Sequence, residues 1–267
     1  MICTSKQFLE VNNLKVVKVR QVRIGEGAAK ICLPLTGTSL SEIDSEIDEI
    51  SGLDFDLIEW RADYFEDVMA FSEVLCVIQH LRQRLQKTPI IFTFRTHNEG
   101  GRADIPESLY FELLQTVIDQ GYVDLIDVQL FQNKDQLKQT ISAAKKKEIK
   151  VILSTHDFSR TPSLPKIIKN LCLMQDRGAD ICKIAVMPST PDDVILLMQA
   201  TRVMSKHHAK VPIVTVSMGH LGKITRVTGN LFGSAITFAS GKNSSAPGQL
   251  SVTELRHLMD LFCADIE

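Results

Sequence analysis

No stretch of these 267 residues approaches the roughly 20 consecutive apolar residues of a membrane-spanning helix, so no membrane partner is expected. Residues 1–13, MICTSKQFLEVNN, hold no long apolar run, and no signal peptide is expected there. Neither sign of charge is in excess: the net charge is −2 at pH 7, which argues against nucleic acid as a partner. The six cysteines, Cys3, Cys32, Cys76, Cys172, Cys182 and Cys263, are scattered, with no C-x-x-C and no histidine at zinc-ligand spacing. They read as small hydrophobes in a reducing, cytoplasmic setting rather than as disulfides or metal ligands. No low-complexity linker divides the chain.

What is present is alternation on a larger scale. The chain is 44% hydrophobic, enough for a sizeable core. Short apolar runs, read as strands, fall at 30–37, 56–65, 89–96, 124–131, 150–158, 179–188, 212–219 and 234–240. Between them lie segments of helical period, among them 39–50, 105–120, 165–178 and 191–204. Leu40, Ile43, Ile47 and Ile50 fall on one helical face. Pro191 followed by Asp192 and Asp193 is a helix start, because the acids oppose the N-terminal dipole; Gly121 and Gly178 stand where helices stop. These units predict one domain over 1–267, a (β/α)8 TIM barrel of the α/β class, with a doubly wound open sheet as the competitor. Residues 14–27 alternate with period two and predict an N-terminal β-hairpin outside the barrel. GEGAA (25–29) leads into a strand rather than opening a helix, so it is set aside as a nucleotide loop.

Within ADICKIAVMP (179–188) a lysine interrupts a buried-strand pattern. An unpaired charge there costs several kcal/mol, roughly, and an edge strand with Lys183 reaching water is the plain alternative. Other strands argue against it. Side chains alternate across a strand, so Glu59, Arg61 and Asp63 share a face, as do Thr93 with Arg95, Asp127 with Gln129, Ser154 with His156, and Thr215 with Ser217. An outer face covered by helices needs apolar residues, so these polar sets are expected to point into the barrel. A buried ion-pair network that fixes register would explain the acids and arginines but not the amine and imidazole. Arg61, Arg95 and apolar walls disfavour the charged form of Lys183 while nearby carboxylates favour it. A neutral amine attacks carbonyls, which makes Schiff-base chemistry the natural use, and His156 could exchange a proton near neutrality.

IEWRAD (58–63), FTFRT with the following EGG (92–101), STHDF (154–158), CKIAVMP (182–188), ITRVTGNLFGSAITF (224–238) and SAPGQL (245–250) resemble type I 3-dehydroquinate dehydratase over residues 24 to about 260. The resemblance implies a metal-free, cofactor-free (β/α)8 hydro-lyase of the shikimate pathway, usually a homodimer. By position it implies that Lys183 forms an imine with the ketone of 3-dehydroquinate, that His156 is the general acid and base, and that Glu99 orients it. It further implies that Arg226 takes the substrate carboxylate, that Glu59, Arg61 and Arg95 hold substrate hydroxyls, and that Ser245 and Gln249 lie on a closing loop. Read bare, Glu99 is a solvated loop residue, Arg226 a surface arginine and 241–250 a flexible loop. Gln129 stands where many relatives carry an acid, and His220, where they often carry lysine, is taken as an exposed loop residue.

Lys145–Lys147 reads as a solvated helix end, and His207 and His208 as a poor metal pair. Trp60 is expected beneath a helix and Met218 as packing. Two other functions stand beside the dehydratase. One is a class I aldolase acting on a phosphorylated sugar, which would want backbone amides cradling phosphate after the last two strands. The other is a barrel that keeps its pocket only to bind a ligand, against which intact Lys183, His156 and Arg226 argue.

Overall fold

The computed structural model describes residues 14–241 and 245–263. The hairpin is present: β1 (Val17–Val19) and β2 (Val22–Ile24) pair antiparallel, Val17 opposite Ile24. Eight parallel strands follow: β3 (Lys30–Leu35), β4 (Leu57–Arg61), β5 (Ile90–Thr93), β6 (Leu125–Gln129), β7 (Lys150–Asp157), β8 (Ile181–Val186), β9 (Ile213–Ser217) and β10 (Ile236–Phe238). They pair in chain order, and β10 returns to lie beside β3, Ile236 opposite Lys30. A bridge between Ile213 and Ser234, with Ala235 N donating to Ile213 O at 2.8 Å, closes the ring where β9 meets β10. An open doubly wound sheet would leave two edges; here every junction is bridged. The architecture is the expected (β/α)8 barrel.

The helices are α1 (Leu40–Glu49), α2 (Phe71–Arg84), α3 (Glu107–Gln120), α4 (Lys134–Lys146), α5 (Leu164–Asp176), α6 (Pro191–His207), α7 (Lys223–Phe232) and α8 (Val252–Cys263). Local chemistry sets their ends. The Ser39 hydroxyl accepts from Glu42 N to open α1, which buries Ile43 and Ile47. Thr190 and Asp193 form a reciprocal capping box at the start of α6. Gly121 ends α3 at φ +69°, a left-handed conformation that costs a side-chain-bearing residue more.

Alternation divides the strand residues between two cores. Ile31, Leu33, Ile58, Trp60, Phe92 and Phe94 face outward and pack with Val74, Ile78 and Leu81 of α2 and their counterparts. Facing inward at the N-terminal ends, Cys32, Leu57, Ile91, Leu125, Ile152, Ile181, Val214 and Ile236 share a cluster with Val17, Val19 and Ile24. The hairpin therefore lies outside the barrel sheet yet stoppers its lower end. Each aliphatic side chain so buried contributes about 1.5–3 kcal/mol, as an upper estimate. Arg20 at the hairpin turn ties it down, pairing with Asp124 at 2.7 Å and donating to Gln86 O at 3.0 Å.

Two expectations need correction. Thr215 and Ser217 do not face the barrel interior. Val214, Val216 and Met218 do, and the Thr215 hydroxyl lies 2.7 Å from that of Thr201 on α6. A hydroxyl satisfied under a helix needs no water, so it can take an outward position that a charge could not. Among the thiols, Cys32 and Cys182 are buried and Cys172 half-buried, but Cys76 is exposed on α2. Cys3, the side chain of Cys263 and the whole of 1–13 lie outside the described residues. His220 and Lys145–Lys147 are exposed, as expected, and so are His207 and His208.

Candidate active site

Lys183 is central in β8 and buried, its side chain pointing into the ring. Nζ lies 3.2 Å from Glu59 Oε1 on β4, 3.2 Å from Asp127 Oδ2 on β6, and 4.2 Å from the centroid of the Phe238 ring on β10. The two carboxylates are held by neighbours. Thr93 Oγ1 donates to Glu59 at 3.0 Å, Ser154 Oγ donates to Asp127 at 2.5 Å, and Arg95 Nη2 pairs with Asp127 at 2.8 Å. Burial works to raise Asp127, but Arg95, Lys183 and the Ser154 hydroxyl outweigh it and hold the group below the usual carboxylate range. The charge on Arg95 is favoured in turn: burial opposes it, and Asp127, Glu99 and Glu59 prevail.

Beyond the end of β5, a turn through His97–Glu99 brings Glu99 back against β7. Glu99 Oε2 accepts from His156 N at 3.0 Å and lies 2.9 Å from His156 Nδ1; Arg95 Nη1 is 3.4 Å away. Burial pushes Glu99 up to about 7 and Asp127 adds to this, while Arg95 and hydrogen bonds from His156 N and the Gln129 side chain pull it back. Burial pushes His156 well below its ordinary range, and the nearby positive charges of Arg95, Lys183 and Arg61 push the same way. The imidazole is therefore neutral and poised to accept a proton. Glu99 is buried rather than solvated, despite its loop position.

Arg61 makes a two-pronged pair with Asp63, Nε to Oδ1 and Nη2 to Oδ2, each at 2.8 Å, and lies over the Tyr64 ring. Arg226 differs. It is buried on α7, not a surface arginine, and among the described residues its acceptors are carbonyls, Phe238 O at 3.2 Å and Pro247 O at 3.0 Å. Among the described residues no carboxylate pairs with it, and burial pushes the guanidinium down to about 10. A buried cation that meets only dipoles among the described residues is chemically suited to take an anion. Pro247 O also accepts from Gly219 N at 3.1 Å, which pins the loop before α8 to the end of β9. Within that loop the Gln249 amide closes on Ser245, Oε1 accepting from Ser245 N at 2.8 Å and Nε2 donating to Ser245 Oγ at 3.1 Å. Residues 242–244 of the same loop lie outside the described set.

Lys183, His156, Glu99, Glu59, Arg61, Arg95, Arg226, Ser245 and Gln249 all line one cavity at the C-terminal mouth of the barrel. Asp127, recognised only as an inward-facing polar residue, supports Lys183 and Arg95 directly; its place between two cations was not readable from spacing. Phe238 and Phe158 were missed altogether. Phe238 could have been found by extending the alternation into β10, whereas nothing local marks Phe158. Gln129 is turned toward Thr96 rather than Lys183, Oε1 accepting from Thr96 N at 2.9 Å. Among the described residues no group of three or more His, Cys, Asp or Glu side chains is arranged for a metal ion, and no helix is long and apolar enough to cross a membrane.

Comparison with known proteins agrees with this geometry. Residues 31–265 match the family described as Type I 3-dehydroquinase. A 3-dehydroquinate dehydratase of Enterococcus faecalis is 48% identical over 249 residues, spanning 93% of this chain and 98% of that protein. One from Syntrophotalea carbinolica is 43% identical over 248 residues, spanning 93% and 98%. The crystal structure of type I 3-dehydroquinate dehydratase from Clostridium difficile, with covalently modified comenic acid, superposes with a TM-score of 0.92 at 42% identity, covering 96% of this chain and all of that one.

Proposed function

This chain belongs to the type I 3-dehydroquinase family, and from that membership we infer how its own residues perform the reaction. It is a hydro-lyase that dehydrates 3-dehydroquinate to 3-dehydroshikimate through a lysine Schiff base. The observation that supports the assignment of roles is a single cavity faced by one buried amine, one neutral imidazole and one guanidinium without a carboxylate.

Arg226 takes the substrate carboxylate in a forked pair, which offsets the desolvation it carries alone. Arg61, Arg95 and Glu59 hold hydroxyls, and the Ser245–Gln249 segment shuts the mouth. The ketone then lies at Lys183. Attack needs the nitrogen lone pair, and of the two carboxylates in contact with Nζ, Glu59 is the one placed to receive its proton, Asp127 being held ionised by Arg95 and Ser154. Addition gives a carbinolamine; loss of its hydroxyl as water gives the imine. The C=N bond withdraws electrons from the neighbouring C–H, and His156 Nε2 takes that proton to leave an enamine. The enamine expels the β-hydroxyl, which departs as water with the proton His156 returns. Water then hydrolyses the conjugated imine, freeing the enone and Lys183.

Glu99 sets the tautomer that this requires. Ionised, it accepts from Nδ1–H and leaves the Nε2 lone pair facing the cavity; protonated, it donates to Nδ1 and puts the hydrogen on Nε2. We assign the enzyme as one domain over 1–267, a homodimer working in the cytoplasm, on the family resemblance. Its net charge of −2 supports a small-molecule rather than nucleic-acid partner.

The test is an absorbance assay for the conjugated enone on adding 3-dehydroquinate. Rising absorbance is expected. No dehydration, with inorganic phosphate competing for the cavity, would instead point to an aldolase of phosphorylated sugars.

A further inference from the structure

We propose that Gln129 is a positioning residue for the Glu99–His156 pair: its amide fixes the turn that carries Glu99 and donates to the Glu99 carboxylate. The proposal rests on the roles given above to Glu99 and His156. Gln129 closes β6 and is buried. Its Oε1 accepts from Thr96 N at 2.9 Å, and its Nε2 donates to Thr96 Oγ1 at 3.0 Å. A backbone N–H can only donate, which fixes the amide's orientation. The second Nε2 hydrogen is then left for Glu99, whose ionised form the Gln129 side chain favours. Thr96 sets the turn itself: its carbonyl accepts from Glu99 N at 3.0 Å and from Gly101 N at 2.9 Å. One amide thus holds both the start of the turn and the carboxylate at its crest. Tyr110 seats it from α3, its hydroxyl accepting from Gln129 N at 3.1 Å.

An ionised carboxylate at position 129 could not donate to Thr96 or Glu99, and it would set a second negative charge against Glu99. The groups facing Glu99 are Arg95 from the end of β5, Asp127 from β6, His156 from β7 and Tyr110 from α3. Arg95 and the donated hydrogen bonds favour the ionised carboxylate; burial, the largest influence, and Asp127 favour the protonated form and raise the group to about 7. Gln129 tips this balance toward the ionised form, and so toward the tautomer of His156 that leaves Nε2 free.

The experiment is the pH profile of kcat/KM for Gln129→Glu and for Gln129→Met, which keeps the volume and removes the polar atoms. The acidic limb is expected to move up by about half a pH unit or more, farther in the glutamate variant, with KM on the alkaline side within about twofold of the parent. An unmoved limb in the folded methionine variant overturns the proposal. So does a loss of the same size at every pH, which is what a merely structural role would produce. His156→Ala, assayed alongside, tests the underlying reading separately, with a turnover loss of about 10²–10⁴-fold and substrate binding largely kept. Near-normal product formation by His156→Ala would remove that reading. A disabled His156→Ala beside an unmoved Gln129 limb would remove only the role of Gln129.

Discussion

A single carboxylate oxygen of Glu99 serves His156 twice, accepting from its backbone N at 3.0 Å and lying 2.9 Å from Nδ1. The backbone bond fixes where the oxygen sits, and the side-chain bond fixes which ring nitrogen carries hydrogen. The base is therefore aimed from a loop, but the aim is set by a strand.

The pH dependence follows. Glu99 is raised to about 7, and its ionised form is the one that leaves Nε2 able to accept. Falling pH protonates Glu99, so kcat/KM should decline as pH drops through about 7 and hold on the alkaline side of that limb. A profile that stays flat down to pH 5 would show that Glu99 does not control the imidazole.

Lys183 should be the site of covalent capture. Borohydride added with 3-dehydroquinate is expected to reduce the imine and leave the ligand on the peptide containing Lys183, as read by mass spectrometry. Label on another lysine, or none, would exclude Lys183 as the nucleophile.

Arg226 separates binding from stability. The fall to about 10 disfavours its charge by about 3 kcal/mol. Because the folded protein holds this base below its unfolded value, Arg226→Met should have an unchanged or higher Tm, with substrate affinity lost. Arg226→Lys keeps the charge but not the fork, and its KM should rise about tenfold or more. A Tm several degrees lower for the methionine variant, or unchanged kinetics for the lysine variant, would contradict the anion-receptor assignment.

Gly100 is packed against Phe158. A Cβ there would stand 2.2 Å from the Phe158 ring, and the backbone has φ of +81°. Gly100→Ala should cost about 1–3 kcal/mol and lower kcat by moving Glu99. Adding Phe158→Ala should return the steric part of the loss and not the backbone part, measured as Tm and kcat together. Full stability in Gly100→Ala alone would show that the turn yields freely.

The barrel and most of its inward face were legible because charge decides strand phase. Glu59, Arg95, Asp127 and Lys183 cannot sit under a helix without partners, so alternation placed them correctly. At Thr215 and Ser217 the same rule failed: hydroxyls carry no such constraint, and Val214 and Val216 are as well suited to one face as the other. Arg226 gave no periodic signal, since the buried side of α7 also holds Thr225, Thr228 and Gly229. The contacts of Gln129 depend on a turn more than thirty residues distant, beyond the reach of local pattern.

The stopper formed by Val17, Val19 and Ile24 has a kinetic corollary. With that end filled among the described residues, substrate, product and the one water released per turnover exchange through the C-terminal mouth, which Ser245 and Gln249 line. Entry and exit then compete for one passage, and anything lodged there imprisons whatever lies beneath.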